Sequence, residues 1–461
     1  MRAVRVEPFG TDKVQGRDLP DPVPGAGEVL IATEAATVNP ADAAVVLGTA
    51  ASRFPRGAVN PYTPDEVASV TVADPRLGQS GVYAHVAALL HESRSAPPDQ
   101  VVSFMAYRLG GFGMSDLSVY VADYEQRHLV PISGSVETQS ITMDSSTGGT
   151  SFTTATQGKE TIGSGTRVWS VVVDGAARLG VMAITVPTLD AEVRALADSL
   201  AGVVAALLVT RGQCTDVYTT LQRSQEFSLA AEMQWGLLPP LSLDSGRVSV
   251  AGLVQPAYEV GGDSFDYAVN GETLHFAVFD AMGHGLESAQ LAHLAVSSYR
   301  HSRRSGLDLS ATYHALDTAI ASRGHGEEFV TCILACLDLI EGGLTWVNVG
   351  HPLPLLVRGG AVMNSLVCAA TLPAGLGGGL AEVAHDPLQP GDQVFRITDG
   401  VIDAHRAEGE DFGEERLVAL LAAQAREGFD ATETVRQLSH RVLDHLGTLS
   451  DDATAFLVEF H

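Results

Sequence analysis

A chain of 461 residues is longer than one hydrophobic core usually organises and predicts about three domains. Its formal net charge of −27 leaves no basic stripe for a phosphate backbone and excludes nucleic acid as a partner. The four cysteines, Cys214, Cys332, Cys336 and Cys368, are too few for a disulfide framework and contain no C-x-x-C pair for zinc.

Cys332 and Cys336 are expected on one face of a strand, as core packing. The opening MRAVRVEPFG lacks an apolar h-region. The most apolar window, residues 200–209, is shorter than a membrane span of about 20 residues. A cytoplasmic protein without membrane association is expected.

Residues 1–60 are strand-like pieces broken by Gly and Pro, including DLPDPVPGAGEVLIATEAATVNPADAAVVLG. That run resembles the opening of the GroES-like domain of medium-chain dehydrogenases and quinone oxidoreductases. A dehydrogenase next needs a Rossmann G-x-G-x-x-G between strand and helix. The nearest candidate, Gly163 and Gly165, has Val168 where the third glycine belongs. The segment is therefore expected to be a fused remnant without oxidoreductase activity.

Residues 62–212 read as α+β. Helices are expected over 82–92 and 100–109, followed by the strand SDLSVYVADY and the turn EQRH. After polar, Ser/Thr-rich stretches come the strands TRVWSVVVDG and ARLGVMAITVP, joined by a tight turn at Gly175. A closing helix capped by Asp190 lines up Leu196, Leu200, Val203 and Leu207. This layout resembles a GAF sensor domain, which implies a pocket over the sheet for a small ligand. Packing and dimerisation alone are the other reading of the same layout.

Residues 213–240 are expected to form one linking helix, stopped by Pro239 and Pro240. Its apolar seam of Val217, Leu221, Phe227, Ala231 and Leu238 either packs on its own chain or pairs two protomers into a homodimer.

Residues 241–461 carry the chemistry. Strands are expected at 248–254, 265–269, 274–279, 330–339, 344–349, 354–357, 392–397 and 453–459. Helices are expected at 286–301, 309–321, 414–426 and 432–446. Antiparallel-type strands with paired helices predict stacked sheets covered by helices. Four turns in this region each present a carboxylate: Asp263 after two glycines, Asp280 after the run FAVF, Asp399 before Gly400, and Asp451 with Asp452 before the last strand. If they converge, each pair repels by about 4 kcal/mol at 4 Å and an effective dielectric near 20, which only bound cation offsets. An all-oxygen donor set favours Mg²⁺ or Mn²⁺ over zinc. Two such ions suit hydrolysis of a phosphate monoester by an in-line water.

The ordered set AEMQWGLLPP, VGGDSFDY, FDAMGHG, VNVGHPLPLLV, RITDGVIDAHRAEGEDFG and LSDDATAFLV resembles the SpoIIE/RsbU-like branch of the metal-dependent, type 2C (PPM) protein serine phosphatases. The resemblance implies an αββα sandwich holding two Mn²⁺ or Mg²⁺ ions. It makes Asp280 the bridging ligand, with the Ala281 backbone carbonyl as a further one. Asp399 and Asp451 complete one ion's shell, Asp263 holds the other, and Asp452 stands behind them. It also implies a phosphoserine STAS-domain protein as substrate.

His284 stands two residues later than the histidine of the wider type 2C pattern, so it is either the general acid or a turn residue. Asn348 and His351 are expected to order a loop. The acidic run 405–412 is expected to be solvated surface. The rival readings are a catalytically silent scaffold of the same fold, a nucleotide cyclase suggested by the string GGDSF, and an oxidoreductase resting on the first residues alone.

Overall fold

The computed structural model describes residues 97–461 except 111–112, 176, 256, 259–260, 324–326, 399–412 and 447–452, together with Arg2–Ala3, Arg17–Asp18, Leu89 and Ser93. The remnant expected over residues 1–60 and the helix over 82–92 lie almost wholly outside the described residues, as does the acidic run 405–412. Of the remnant, only the two-residue strands β1 (Arg2–Ala3) and β2 (Arg17–Asp18) are described, paired antiparallel.

The first unit is one antiparallel sheet between helices. Its strands are β3 (Ser115–Ala122), β4 (His128–Pro131), β5 (Ile141–Thr142), β6 (Gly158–Ile162), β7 (Gly165–Asp174) and β8 (Ala177–Val186), in the order β5-β4-β3-β8-β7-β6. Side chains alternate along β3. Leu117, Val119 and Val121 face helices α1 (Val101–Gly110) and α3 (Ala191–Gly212), while Tyr120 and Ala122 face α2 (Thr147–Thr154). Asp190 caps α3 as its sequence requires, its carboxylate accepting the Val193 amide at 2.8 Å.

Helix α3 has the length and apolar composition to cross a membrane, and is longer than the apolar window of the sequence suggests. Its Leu200, Val203 and Leu207 pack on the sheet, each burial contributing about 1.5–3 kcal/mol. The polar, Ser/Thr-rich stretch before β6 contains α2. Ser146 caps it, and its Gly148 allows Trp169 to approach where a Cβ would come within 2.6 Å of the indole. Phe152 of α2 packs with Tyr120, Met143 and Trp169 in a buried cluster on this face of the sheet.

The linking segment is two short helices, not one. α4 (Val217–Leu221) ends at Gln222, and α5 (Leu229–Leu237) begins afresh after its cap Ser228, whose hydroxyl accepts the Ala231 amide at 3.0 Å. Phe227 leaves the expected seam for an aromatic cluster with Tyr124, Trp235 and Tyr258, and that packing overrides helix continuity.

The C-terminal unit is a four-layer αββα sandwich. One sheet has the order β16-β15-β18-β19-β10-β9, from β9 (Ser242–Asp244), β10 (Val248–Gln255), β15 (Leu355–Arg358), β16 (Ala361–Ser365), β18 (Gln393–Ile397) and β19 (Ala453–Phe460). The other has the order β11-β12-β13-β14-β17, from β11 (Asp263–Asn270), β12 (Thr273–Ala281), β13 (Val330–Asp338), β14 (Gly343–Val349) and β17 (Ala384–Pro387). Helices α6 (Gly285–Arg304) and α7 (Leu309–Arg323) cover the second sheet. Helices α8 (Gly413–Glu427) and α9 (Ala431–Leu446) cover the first.

All eight strands and four helices expected from the sequence are present within a few residues. The short strands β9, β16 and β17 were not expected. A stacked sandwich of this kind is not the βαββαβ order a cyclase reading of GGDSF requires. Cys332 and Cys336 share one face of β13, toward the helices, as expected.

Candidate metal centre

Strand alternation aims the carboxylates. On β11, Phe265 lies between the sheets, and two residues earlier in the same parity stands Asp263. On β12, Leu274, Phe276 and Val278 lie between the sheets, and the next residue in that series is Asp280. The antiparallel register sets Asp263 directly opposite Asp280. Side chains so placed have Cβ atoms about 5 Å apart, and like charges there repel. Both carboxylates therefore stand at one end of the inter-sheet core, where Phe265, Val278, Ile333 and Phe456 give way to polar groups.

The same parity brings in residues the sequence did not signal. Thr398 follows β18, and its hydroxyl donates to Asp263 Oδ2 at 2.5 Å while accepting the Thr454 amide at 2.9 Å. Asp263, 2% exposed, thus has a donor for its buried charge. Thr331 of β13 donates to Asp280 Oδ2 at 3.5 Å and meets His351 Nδ1 at 2.8 Å. Burial, and next the Arg396 guanidinium, hold the His351 ring well below the usual histidine range. A neutral ring has one proton to place. With the Thr331 proton turned to Asp280, that proton sits on Nδ1 and donates to Thr331. Asn348 orders this turn, its side-chain oxygen accepting the His351 amide at 2.8 Å. These contacts depend on register between strands far apart in sequence; the only local signal is the position of Thr398 one residue before Asp399.

Two glycines let the Asp263 loop approach. A Cβ on Gly262 would stand 2.5 Å from Ser288 Oγ and 2.6 Å from the Ala281 carbonyl oxygen, and one on Gly261 would stand 2.6 Å from the Gly285 amide. The Ala281 carbonyl accepts the Ser288 hydroxyl at 2.9 Å, which leaves it a second lone pair. Gly283 and Gly285 take positive φ of 91° and 72°, turning the chain from β12 into α6. His284 is the exposed N-cap of α6, and its side chain makes no capping bond.

Asp399, Asp451 and Asp452 lie outside the described residues. Among the described residues no group of three or more His, Cys, Asp or Glu comes together. The donors that do come together, two facing carboxylates and a backbone carbonyl, are all oxygen. They fit a hard divalent cation such as Mg²⁺ or Mn²⁺, whose charge would relieve the Asp263–Asp280 repulsion.

Residues 270–461 match the family model described as stage II sporulation protein E. This C-terminal region is a SpoIIE-type domain. Over 203 residues the chain is 25% identical to stage II sporulation protein E of Bacillus subtilis, covering 43% of this chain and 24% of that protein. Over 264 residues it is 22% identical to protein IcfG of Synechocystis, covering 50% of this chain and 41% of that protein. The chain thus spans less than half the length of either relative. The solved SiaA-PP2C domain of Pseudomonas aeruginosa aligns at 22% identity and a TM-score of 0.43, covering 50% of this chain and 94% of that one. The RsbU and RsbW domains of a Mycobacterium tuberculosis protein align at 22% identity and a TM-score of 0.43, covering 47% and 62% respectively.

Proposed function

We propose that the SpoIIE-type domain is a metal-dependent protein phosphatase that hydrolyses the phosphate monoester of a phosphoserine protein. The observation that carries this reading is the facing of Asp263 and Asp280 at the polar end of the inter-sheet core, which calls for a cation. Thr398 supports it, because its bond to Asp263 ties down the strand end that leads into Asp399. Ala453 opens β19 two residues after Asp451, on the strand that Thr454 fixes to Thr398.

In this reading Asp280 would serve both of two Mn²⁺ or Mg²⁺ ions with the Ala281 carbonyl as a further ligand, Asp399 and Asp451 would complete one shell, and Asp263 would serve the other. When bound, such ions neutralise phosphate charge and acidify a water for in-line attack. The chain's own residues prepare the place. Thr398 fixes the Asp263 rotamer, Thr331 and His351 orient Asp280, and Gly261 with Gly262 bring the backbone in close. His284, exposed at the start of α6, is free to meet a substrate, and a proton from its ring to the leaving serine oxygen is the role it would fill.

The substrate we assign is a phosphorylated STAS-domain regulator. Similar solved structures include one that carries RsbU and RsbW domains together, which is consistent with a phosphoprotein partner. We assign the first unit as a GAF-like regulatory domain, on its six-stranded sheet between helices, and a homodimer as the working assembly.

The test is phosphate release from a phosphoserine STAS protein with and without Mn²⁺. Release that depends on Mn²⁺ and disappears in Asp280→Asn is expected. Undiminished turnover in that variant sinks the site assignment, while no turnover by the parent chain on any phosphoserine protein favours a silent scaffold.

A further inference from the structure

One turn of the first unit touches helix α9 of the SpoIIE-type domain and helix α5 of the linking segment at once. Residues 123–127 join β3 to β4, and the buried Asp123 carboxylate closes the turn by accepting the amides of Arg127 at 2.8 Å and His128 at 3.1 Å. At its tip Gln126 takes a left-handed φ of 57°, a conformation that costs a residue with a Cβ and persists only where its surroundings hold it. Asp123 supplies part of those surroundings, its carbonyl accepting the Gln126 amide at 3.0 Å, and α9 supplies the rest. Arg436 donates to the Gln126 carbonyl at 3.3 Å, His440 Nε2 lies 2.9 Å from the Glu125 carbonyl, and Arg127 pairs with Asp444 at 2.8 Å.

The same turn sends Tyr124 the other way, toward the loop that carries Asp263. Its ring lies 4.5 Å from Trp235 of α5 and 4.9 Å from Phe227, and Phe227 lies 5.4 Å from Tyr258. Contacts at these separations are worth more than their buried area alone. Hydrogen bonds then fasten the cluster to the loop backbone. Trp235 Nε1 donates to the Ala257 carbonyl at 2.8 Å, the Ser228 amide donates to the Tyr258 carbonyl at 3.1 Å, and the Ser224 amide donates to the Tyr258 hydroxyl at 2.8 Å. Ala257 and Tyr258 stand six and five residues before Asp263. Arg223 covers the Phe227 ring at 4.1 Å and pairs with Glu232 at 2.7 Å, closing the cluster from outside.

We propose that Tyr124 is a positioning residue for the metal centre: packed on Phe227 and Trp235, which with their neighbours hold Ala257 and Tyr258, it steadies the chain a few residues before Asp263 and so supports cation binding there. The inference rests on the metal-dependent reading of Asp263. It differs from an ordinary domain contact in that the two ends of the turn grip different layers. α9 anchors the turn to the outer helical layer, and Tyr124 transmits that anchorage to the site.

The experiment measures Mn²⁺ binding to the full chain by the electron paramagnetic resonance signal of free Mn²⁺, with no substrate present. Tyr124→Ala is expected to weaken binding about tenfold, in the range found when groups that orient a ligand are removed, and Tyr124→Phe to restore it. Trp235→Phe keeps a ring but loses the bond to Ala257, and is expected to weaken binding in the same direction by less. Parental affinity in both Tyr124→Ala and Trp235→Phe, with binding lost in Asp263→Asn, overturns the clasp and leaves the metal site standing. Parental affinity in Asp263→Asn overturns both. Should Tyr124→Ala fail to fold, Trp235→Phe alone decides, since parental affinity there breaks the link to the loop.

Discussion

Thr398 and Asp263 come from opposite sheets, and the threonine hydroxyl meets the aspartate carboxylate at 2.5 Å. The same oxygen accepts the Thr454 amide, so one hydroxyl holds the ends of three strands. Thr398→Val keeps the shape but takes a donor from the buried Asp263 carboxylate and orphans the buried Thr454 amide. Such orphaned groups cost about 1–3 kcal/mol, so the variant is expected to lose that much by urea unfolding and to bind Mn²⁺ more weakly. Thr398→Ser, which keeps the hydroxyl, is expected to retain most of both. Full stability in Thr398→Val contradicts the bond's importance.

The glycine pair makes a sharper contrast. In Gly262→Ala the new Cβ meets Ser288 Oγ and the Ala281 carbonyl below 3 Å, and backbone cannot yield there without shifting Asp263 against Asp280. Mn²⁺ affinity is expected to fall by about tenfold or more, as when groups that orient a ligand are disturbed. Gly236→Ala, exposed in α5 with nothing within 4 Å of its Cβ, is expected instead to stabilise by up to about 0.5–1 kcal/mol. Equal metal binding in the two variants, read by titration, counts against the loop geometry.

Acid is expected to loosen the contact between the units. Burial first, and then the neighbouring Arg436 and Arg127, lower the His440 pKa below its ordinary 6.5. A histidine depressed in the folded state takes up its proton first when unfolded. Its contribution is therefore constant above 6.5 and lost as pH falls from there toward the folded value. His275, lowered by burial and then by Arg303, acts with the same sign. Urea midpoints measured on either side of 6.5 are expected to fall on the acid side. They are expected to fall less in His440→Gln, which keeps a donor for the Glu125 carbonyl and has no proton to gain. An identical slope in that variant removes His440 from the account.

Why some of this was legible in the sequence and some was not follows from distance along the chain. Asp263 after two glycines and Asp280 at the end of an apolar run are local patterns, and strand alternation alone turns both inward. The sandwich likewise follows from periodicity. Thr331, His351 and Thr398 reach the carboxylates only through pairing of strands remote in sequence, which no window of residues displays. The single linker helix failed for a related reason, because Phe227 is claimed by Tyr124, a residue over one hundred positions earlier. Helix α2 escaped notice because Ser and Thr favour caps and turns, and only Ser146 and the approach to Trp169 make it form.

The second aspartate of VGGDSFDY tests how far parity alone separates a ligand from a scaffold. Asp263 faces the other sheet, whereas Asp266, three residues on, faces the helices. There Arg300 reaches it at 2.6 Å and Arg303 at 2.7 Å, with Asp266 itself 1% exposed. Arg300 also donates to the Leu237 carbonyl at 2.7 Å, so the carboxylate fastens α6 to the end of α5. Removing one partner of a buried pair leaves uncompensated charge and costs about 3–5 kcal/mol. Asp266→Asn is therefore expected to lower the unfolding free energy by about 3 kcal/mol while leaving Mn²⁺ affinity near the parental value under conditions where it is folded. Asp263→Asn is expected to do the reverse, losing Mn²⁺ with little loss of stability, because it relieves the repulsion with Asp280. Calorimetry and metal titration on the two variants read both axes. Loss of Mn²⁺ binding in Asp266→Asn while the chain remains folded would place the metal on the helix side of the sheet and reverse the assignment.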